Sequence, residues 1–346
     1  MYPQVRRLLF RLDPEGVHTY TLNVLRLVGA LPPLGALLKA AFQAPAAPVE
    51  AFGLRFTNSV GLAAGYDKDA LAWRGLSALG FGHIEVGTIT PRPQDGNPKP
   101  RLFRLPEDQA LINRMGFPGR GAAFAAQQLK AERPPGLVIG ANLGINKDTL
   151  LEQAHQDYTM LLMMFAPLVD YLAINVSSPN TIGLRRLQSR EWLESLLNVL
   201  VVERKDQEQV IGKRIPLLVK LAPDLNDAEL DDALDVIMRL GINGVIATNT
   251  TISRNGLLSP SANESGGLSG APLKARGDQM VAKIYKRTEG VLPIIGAGGI
   301  MSPEDALSRL NAGAQLVQVY TGLVYAGPGF VKRILEGLAT PAPDRS

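Results

Sequence analysis

Eight times along the chain a short apolar run ends in a small or polar residue and gives way to a stretch of helical periodicity. The runs fall at residues 60–64, 83–87, 137–142, 171–175, 217–220, 244–248, 293–296 and 315–319. Apolar runs this short suit strands of a parallel sheet, which is buried on both faces because helices cover it. Eight strand–helix units are the count that closes an α/β barrel, the (β/α)8 or TIM barrel. A doubly wound open sheet alternates the same elements and is the structural alternative. Two features favour the barrel. Polar residues stand consistently at the carboxyl ends of the strands, and the last two units end in glycine-containing turns, Gly296-Ala297-Gly298-Gly299 and Tyr320-Thr321-Gly322. In such barrels loops seven and eight are the usual phosphate site, where backbone N–H groups meet an anion.

Residues 1–44 have a different character and read as an N-terminal amphipathic helical extension, leaving 45–346 for the barrel. Val5, Leu8, Leu9 and Leu12 fall on one helical face and Arg6, Arg7 and Arg11 on the other. Asp13-Pro14-Glu15 starts a second helix, with Asp as N-cap and Pro in the first turn. Its apolar stripe of Val17, Tyr20, Val24, Leu27 and Leu31 runs until Pro32-Pro33, and a third apolar piece follows to Phe42. Ala44-Pro45-Ala46-Ala47-Pro48 has linker composition, and the next residues to Thr57 read as a strand pair turning at Gly53.

Composition narrows the chemistry. A net charge of +4 and an aromatic content of only 6% disfavour a stacking platform for nucleic acid. The absence of Cys removes disulfides, thiolate metal sites and any thiol base, and no metal ligand set is expected. No uninterrupted apolar window is long enough to span a bilayer, because Asn23, Arg26, Pro32, Pro33 and Lys39 break the most apolar stretch. The start also lacks a signal-peptide pattern, so a cytoplasmic protein with peripheral membrane attachment is expected. A basic, amphipathic start suits a core-packing cap as well as a lipid contact.

The polar residues at the strand ends suggest what the barrel holds. Asn113, Asn142, Asn175, Asn180 and Asn249 gather at or near that end. Each amide offers a donor and an acceptor, which suits a planar ring edged with alternating N–H and C=O groups. Lys68 and Lys220 follow or close strands, where a cation can hold an anion or offset developing negative charge. None of His18, His83 and His155 falls at an expected strand end. A hydroxyl of Ser177-Ser178-Pro179-Asn180-Thr181, in the loop after the fourth strand, is then the best group for proton transfer.

Four strings together resemble the dihydroorotate dehydrogenase family: Ala64-Gly65-Tyr66-Asp67-Lys68-Asp69, Asn113-Arg114-Met115-Gly116-Phe117, Asn175-Val176-Ser177-Ser178-Pro179-Asn180-Thr181 and Ala247-Thr248-Asn249-Thr250. Gly266-Gly267-Leu268-Ser269-Gly270, expected in the loop after the sixth strand, is similar to the family's pattern there. The resemblance runs from the first helix nearly to the C-terminus. It implies an FMN site formed by Ala64, Gly65, Tyr66, Asp67, Lys68, Thr88, Asn142, Asn175, Lys220, Thr248, Gly270, Gly299, Tyr320 and Thr321. It implies contacts to dihydroorotate from Lys68, Asn113, Arg114, Met115, Gly116, Phe117, Asn175, Asn180, Asn249 and Thr250.

Within that family, soluble members use a Cys base, whereas the membrane-associated, quinone-reducing class uses Ser and carries an N-terminal helical extension. Ser178 and residues 1–44 match the second class. The resemblance implies that Ser178 takes a proton from dihydroorotate while hydride passes to the flavin, that Thr181 relays the proton, and that orotate results in pyrimidine biosynthesis. It further implies a membrane quinone as acceptor near His18, Arg104 and Tyr320, with the protein at the cytoplasmic face of the cell membrane. Tyr66 stands where Leu is expected and Ile182 where Pro is frequent. Another phosphate-binding flavin barrel, oxidising a 2-hydroxy acid or using a nicotinamide, is the second enzyme reading. A barrel that senses a phosphate ligand without turnover is the binding-module reading.

Overall fold

The computed structural model describes residues 2–340 and begins with three helices, α1 (Tyr2–Leu9), α2 (Pro14–Ala30) and α3 (Pro32–Phe42). The Asp13 carboxylate accepts from the Gly16 N–H at 2.6 Å and Pro14 occupies the first turn, so α2 starts where its capping residues dictate. Next comes an antiparallel hairpin of β1 (Val49–Ala51) and β2 (Leu54–Phe56). The remaining strands are β3 (Val60–Leu62), β4 (His83–Ile89), β5 (Leu102–Leu105), β6 (Ala110–Asn113), β7 (Val138–Leu143), β8 (Tyr171–Asn175), β9 (Leu217–Leu221), β10 (Gly244–Ala247), β11 (Gly267–Gly270), β12 (Ile294–Ala297) and β13 (Leu316–Val319).

Eight of these close into a parallel barrel in the order β3-β4-β7-β8-β9-β10-β12-β13, with β13 pairing back onto β3. They are the eight runs expected from the sequence, shifted by a residue or two at their ends. Burial explains their continuous apolarity: β7, β8, β9, β10, β12 and β13 are buried along their whole length. The hairpin seals the amino-terminal end. Phe52 and Phe56 pack with Tyr171, Leu218 and Leu316 there, and the His83 ring lies edge-on to Phe56.

At the opposite end, residues 266–270 lie in the connection after the sixth barrel strand, as expected, and take up regular structure there: β11 pairs antiparallel with β6, and β6 with β5, giving a three-stranded sheet outside the barrel. The string Gly-Leu-Ser-Gly has the composition of a turn, and it becomes a strand because β6 supplies the ladder. Leu105, Ala110, Ile112 and Leu268 form a small core of their own beneath this sheet.

Of the two ways the helical extension could face, the structure shows Arg6 turned inward: its guanidinium donates to the Tyr325 carbonyl at 2.9 Å and lies near the Phe10 and Tyr325 rings. The apolar residues Val5, Leu8, Leu12, Tyr20, Val24, Leu27, Leu31, Leu34 and Leu37 are exposed. The opposite side of α2 is held against the short helix α4 (Trp73–Ser77) by buried Leu25. The two backbones approach so closely that a Cβ on Gly75 would sit 2.0 Å from the Leu25 carbonyl oxygen. Among the described residues no single helix is long and apolar enough to cross a membrane; α2 and α3 meet at 110°.

Candidate active site

The carboxyl ends of the barrel strands and the overlying sheet enclose a cleft. Its walls differ in chemistry from one side to the other.

At one side the turn after β12 and the turn after β13 meet. Gly298 and Gly299 line the cleft with φ of +88° and +77°, a conformation open to glycine at no steric cost. Among the described residues neither N–H donates to a protein acceptor. Two adjacent unpaired donors are suited to an anion. Thr321, from the second turn, shares a 2.9 Å hydrogen bond with Ser269 of β11.

The floor is polar and tightly bonded. Lys220, Thr88, Asn175 and Gln318 line it. Beneath them lies Glu85, fully buried in β4, which accepts from Tyr171 Oη at 3.0 Å, Gln318 Nε2 at 2.9 Å and Asn142 Nδ2 at 2.9 Å. Lys220 Nζ stands 3.5 Å from the same carboxylate. A buried carboxylate survives only where such donors replace water. Gln318 Oε1 remains without a partner among the described residues, an acceptor available to a ring N–H.

Beneath the sheet the amides converge. Asn180 Nδ2 donates to Asn113 Oδ1 at 3.1 Å, and Asn249 Nδ2 donates to Ser177 Oγ at 2.9 Å and Asn175 Oδ1 at 3.3 Å. Met115, Gly116, Phe117 and Thr250 complete this wall. Ser178 is buried in the same wall, and its Oγ accepts from the Asn180 N–H at 3.2 Å. Lys68 projects into the cleft, its Nζ donating to the Gly65 carbonyl at 2.9 Å, and burial pushes its ammonium down to about 8.

The cleft opens sideways toward the extension through Glu15 and His18 of α2. Burial, with the charge of Lys68, pushes the His18 imidazole down to about 3. His18, Tyr66 and Tyr320 form an edge-to-face series with ring centroids 4.9 and 5.4 Å apart.

Most of the residues singled out from the sequence line this one cleft, including Ala64, Gly65, Thr248, Gly270 and Tyr320. Six stand just behind the lining. Tyr66 belongs to the aromatic series; Asp67, buried, accepts from the Leu71 and Ala72 N–H groups; Asn142 accepts from Thr88 and Asn175. Arg114 pairs with Glu264 at 2.5 Å and Arg104 donates to the Leu9 and Leu12 carbonyls. Thr181 follows Asn180 in the Ser178 loop, and its hydroxyl has no protein partner among the described residues. Sequence reasoning missed Glu85, Gln318 and Glu15. A carboxylate between Ile84 and Val86, inside a run expected to be a buried strand, was the available signal.

The family model described as dihydroorotate dehydrogenase matches residues 46–341. The chain is similar to the dihydroorotate dehydrogenase (quinone) of Roseiflexus sp. (strain RS-1), at 48% identity over 98% of this chain and 93% of that protein. Its similarity to the protein of the same name from Acidithiobacillus ferrooxidans is 50% over 97% of this chain and 94% of that one. The crystal structure of DHODH in complex with ferulenol from Eimeria tenella superposes with a TM-score of 0.83 at 40% identity, covering 94% of this chain and 90% of that one.

Proposed function

The chain belongs to the dihydroorotate dehydrogenase family, and from that premise we propose how its cleft works: FMN lies along the floor, dihydroorotate lies under the β5-β6-β11 sheet, and Ser178 is the catalytic base. The enzyme oxidises dihydroorotate in pyrimidine biosynthesis. The donor set suits the cofactor. The free N–H groups of Gly298 and Gly299 match a phosphate, and the Gln318 carbonyl oxygen and the Lys220 ammonium match the polar edge of a flavin ring. FMN held there would supply the acceptor for a hydride from carbon 6 of the substrate and the carrier of its two electrons to a quinone.

The observation that carries the reading is that Ser178, the amides of Asn113, Asn175, Asn180 and Asn249 and the Lys68 ammonium all line one cleft. Lys68 takes the substrate carboxylate, and Asn113, Asn180 and Asn249 meet the ring N–H and C=O groups, so carbon 5 is held against Ser178 Oγ. Ser178 Oγ removes the proton there, and Thr181 passes it to solvent through a water. Lys220 offsets the negative charge that builds on the far side of the ring, while Glu85 below keeps that lysine in place. The low basicity of His18 keeps it neutral beside the side opening, a suitable neighbour for a quinone headgroup. The exposed apolar face of α1 to α3 supports a membrane contact beside that opening, with the protein attached peripherally on the cytoplasmic side of the cell membrane.

The test is anaerobic. A yellow purified protein should bleach on addition of dihydroorotate and recover its colour with a quinone. A flavin that bleaches with a 2-hydroxy acid or a nicotinamide and not with dihydroorotate would overturn the substrate assignment.

A further inference from the structure

Behind the Gly298-Gly299 turn, on the outer side of the barrel wall, lies an arginine that the flavin reading leaves without a role. Arg309, on the helix Pro303–Asn311, has 0% exposure, which is rare for a guanidinium. Its Nη1 donates to the Ala297 carbonyl at 3.0 Å, and its Nη2 donates to the carbonyls of Gly298 at 2.9 Å and Lys274 at 3.3 Å. Its Nε donates to Asp278 Oδ1 at 2.6 Å, and Ser308 Oγ holds the other oxygen of that carboxylate at 3.0 Å. Two glycines leave the space for it. A Cβ on Gly277 would stand 2.3 Å from Arg309 Nη2, and one on Gly296 would stand 2.3 Å from Arg309 Cγ.

The consequence follows from peptide geometry. In a planar trans peptide the C=O and the next residue's N–H point in opposite directions. The Ala297 and Gly298 carbonyls both point at Arg309, so the N–H groups of Gly298 and Gly299 both point away from it, into the cleft they line. We propose that Arg309 is a positioning residue for a phosphomonoester: it holds two successive peptide planes so that their N–H groups form the anion seat of the bound nucleotide. The inference rests on the FMN reading of the cleft and goes beyond it, because Arg309 lies behind the lining and its charge acts on the ligand only through the backbone. A point charge could hold one carbonyl. The planar fork holds both at a fixed angle, which is the geometry that two parallel N–H groups require.

The test uses the full-length chain and two ligands that differ only in the phosphate, FMN and riboflavin, with dissociation constants read from the quenching of flavin fluorescence. Wild type should prefer FMN. Arg309→Met should weaken FMN by roughly tenfold or more, the usual weight of a charge-assisted hydrogen bond, and leave riboflavin within about twofold. Arg309→Lys should fall between. Asp278→Asn changes a residue at the rim, 22% exposed at its side chain, and should give a smaller loss of the same selectivity. It carries the comparison alone if Arg309→Met does not fold. A merely structural arginine would lower both affinities together, and that result overturns the proposal, as does an undiminished preference for FMN in the folded variants. A wild-type chain that prefers neither ligand would remove the phosphate reading of the cleft itself.

Discussion

Glu15, at the start of α2, and Arg101, immediately before β5, form a doubly bonded ion pair, with Nε to Oε2 at 3.1 Å and Nη2 to Oε1 at 2.7 Å. Arg101 also donates to the carbonyls of Asp95 and Asn97, and Asn97 Nδ2 donates to the Arg114 and Asn180 carbonyls. One chain of bonds thus runs from the helical extension to the substrate wall. The pair is well covered, with side-chain exposures of 8% and 15%.

Removing one member of such a pair leaves the other charge buried and unmatched. Glu15→Ala should therefore cost about 3 kcal/mol or more in urea unfolding and raise the KM for dihydroorotate, because the Asn97 loop loses its anchor. A variant with reduced stability and an unaltered KM would show that the wall is set without the extension.

Ser178→Ala removes the proposed base and little else, since its Oγ accepts one backbone bond. Flavin reduction by dihydroorotate in a stopped-flow instrument should slow by roughly 10²–10⁴-fold, while flavin content stays at the wild-type level. Reduction at an undiminished rate would take Ser178 out of the mechanism.

Lys220 is the cation of the floor, and its Glu85 partner is already satisfied by three neutral donors. Lys220→Ala should lower the reduction potential of the bound flavin by roughly 30 mV for each tenfold loss in the two-electron equilibrium constant. A flavin-replete variant titrating at the wild-type potential would refute this role.

The barrel was legible because its buried strands are mostly apolar runs, and the amides at their ends marked the working face. The covering sheet was not. The strand β11 consists of Gly, Leu, Ser and Gly, and its state is decided by pairing with residues more than a hundred positions earlier, which local pattern does not contain. Glu85 and Gln318 were hidden for a related reason: their partners, Tyr171 and Asn142, come together only when the barrel closes. The orientation of α1 stayed open in the sequence because amphipathicity fixes two faces without saying which one meets the protein. Arg6 turns inward because the Tyr325 carbonyl is there to receive it.

Acid should weaken the fold through His83. Its ring is fully buried with neither nitrogen hydrogen-bonded, and burial pushes its pKa down to about 3. The unfolded chain protonates this group near pH 6.5 and the folded chain does not, so its contribution is present above that pH and is lost as pH falls toward 3. Between pH 7 and 5 this amounts to about 2 kcal/mol. Asp67 opposes it, because burial raises its carboxyl to about 6 and acid relieves that penalty between pH 6 and the ordinary carboxylate range. Urea midpoints for wild type and His83→Leu at the two pH values isolate the histidine: the variant should lose about 2 kcal/mol less on acidification. Equal losses would place the acid sensitivity elsewhere.

The exposed apolar face of the extension makes the final prediction, because it can be altered without disturbing the barrel. Leu8, Leu27 and Leu37 are 62, 58 and 70% exposed and come one from each helix. A leucine this open contributes little to the folded monomer, whereas the opposite side of α2 packs through Leu25 onto α4. In a membrane the three would enter the apolar layer, where a carboxylate is costly to bury. The full-length triple variant Leu8→Glu, Leu27→Glu, Leu37→Glu should therefore keep its flavin, its rate of reduction by dihydroorotate and its turnover with a water-soluble quinone. It should lose binding to liposomes of mixed neutral and anionic lipids, together with turnover of a long-chain quinone dissolved in them. Deleting residues 1–48 would pose the same question less cleanly, since it also removes Glu15 from Arg101 and uncovers α4. If the triple variant turns over the liposome-bound quinone as fast as wild type, the apolar face is not a lipid contact, and the side opening near His18 takes its quinone from solution.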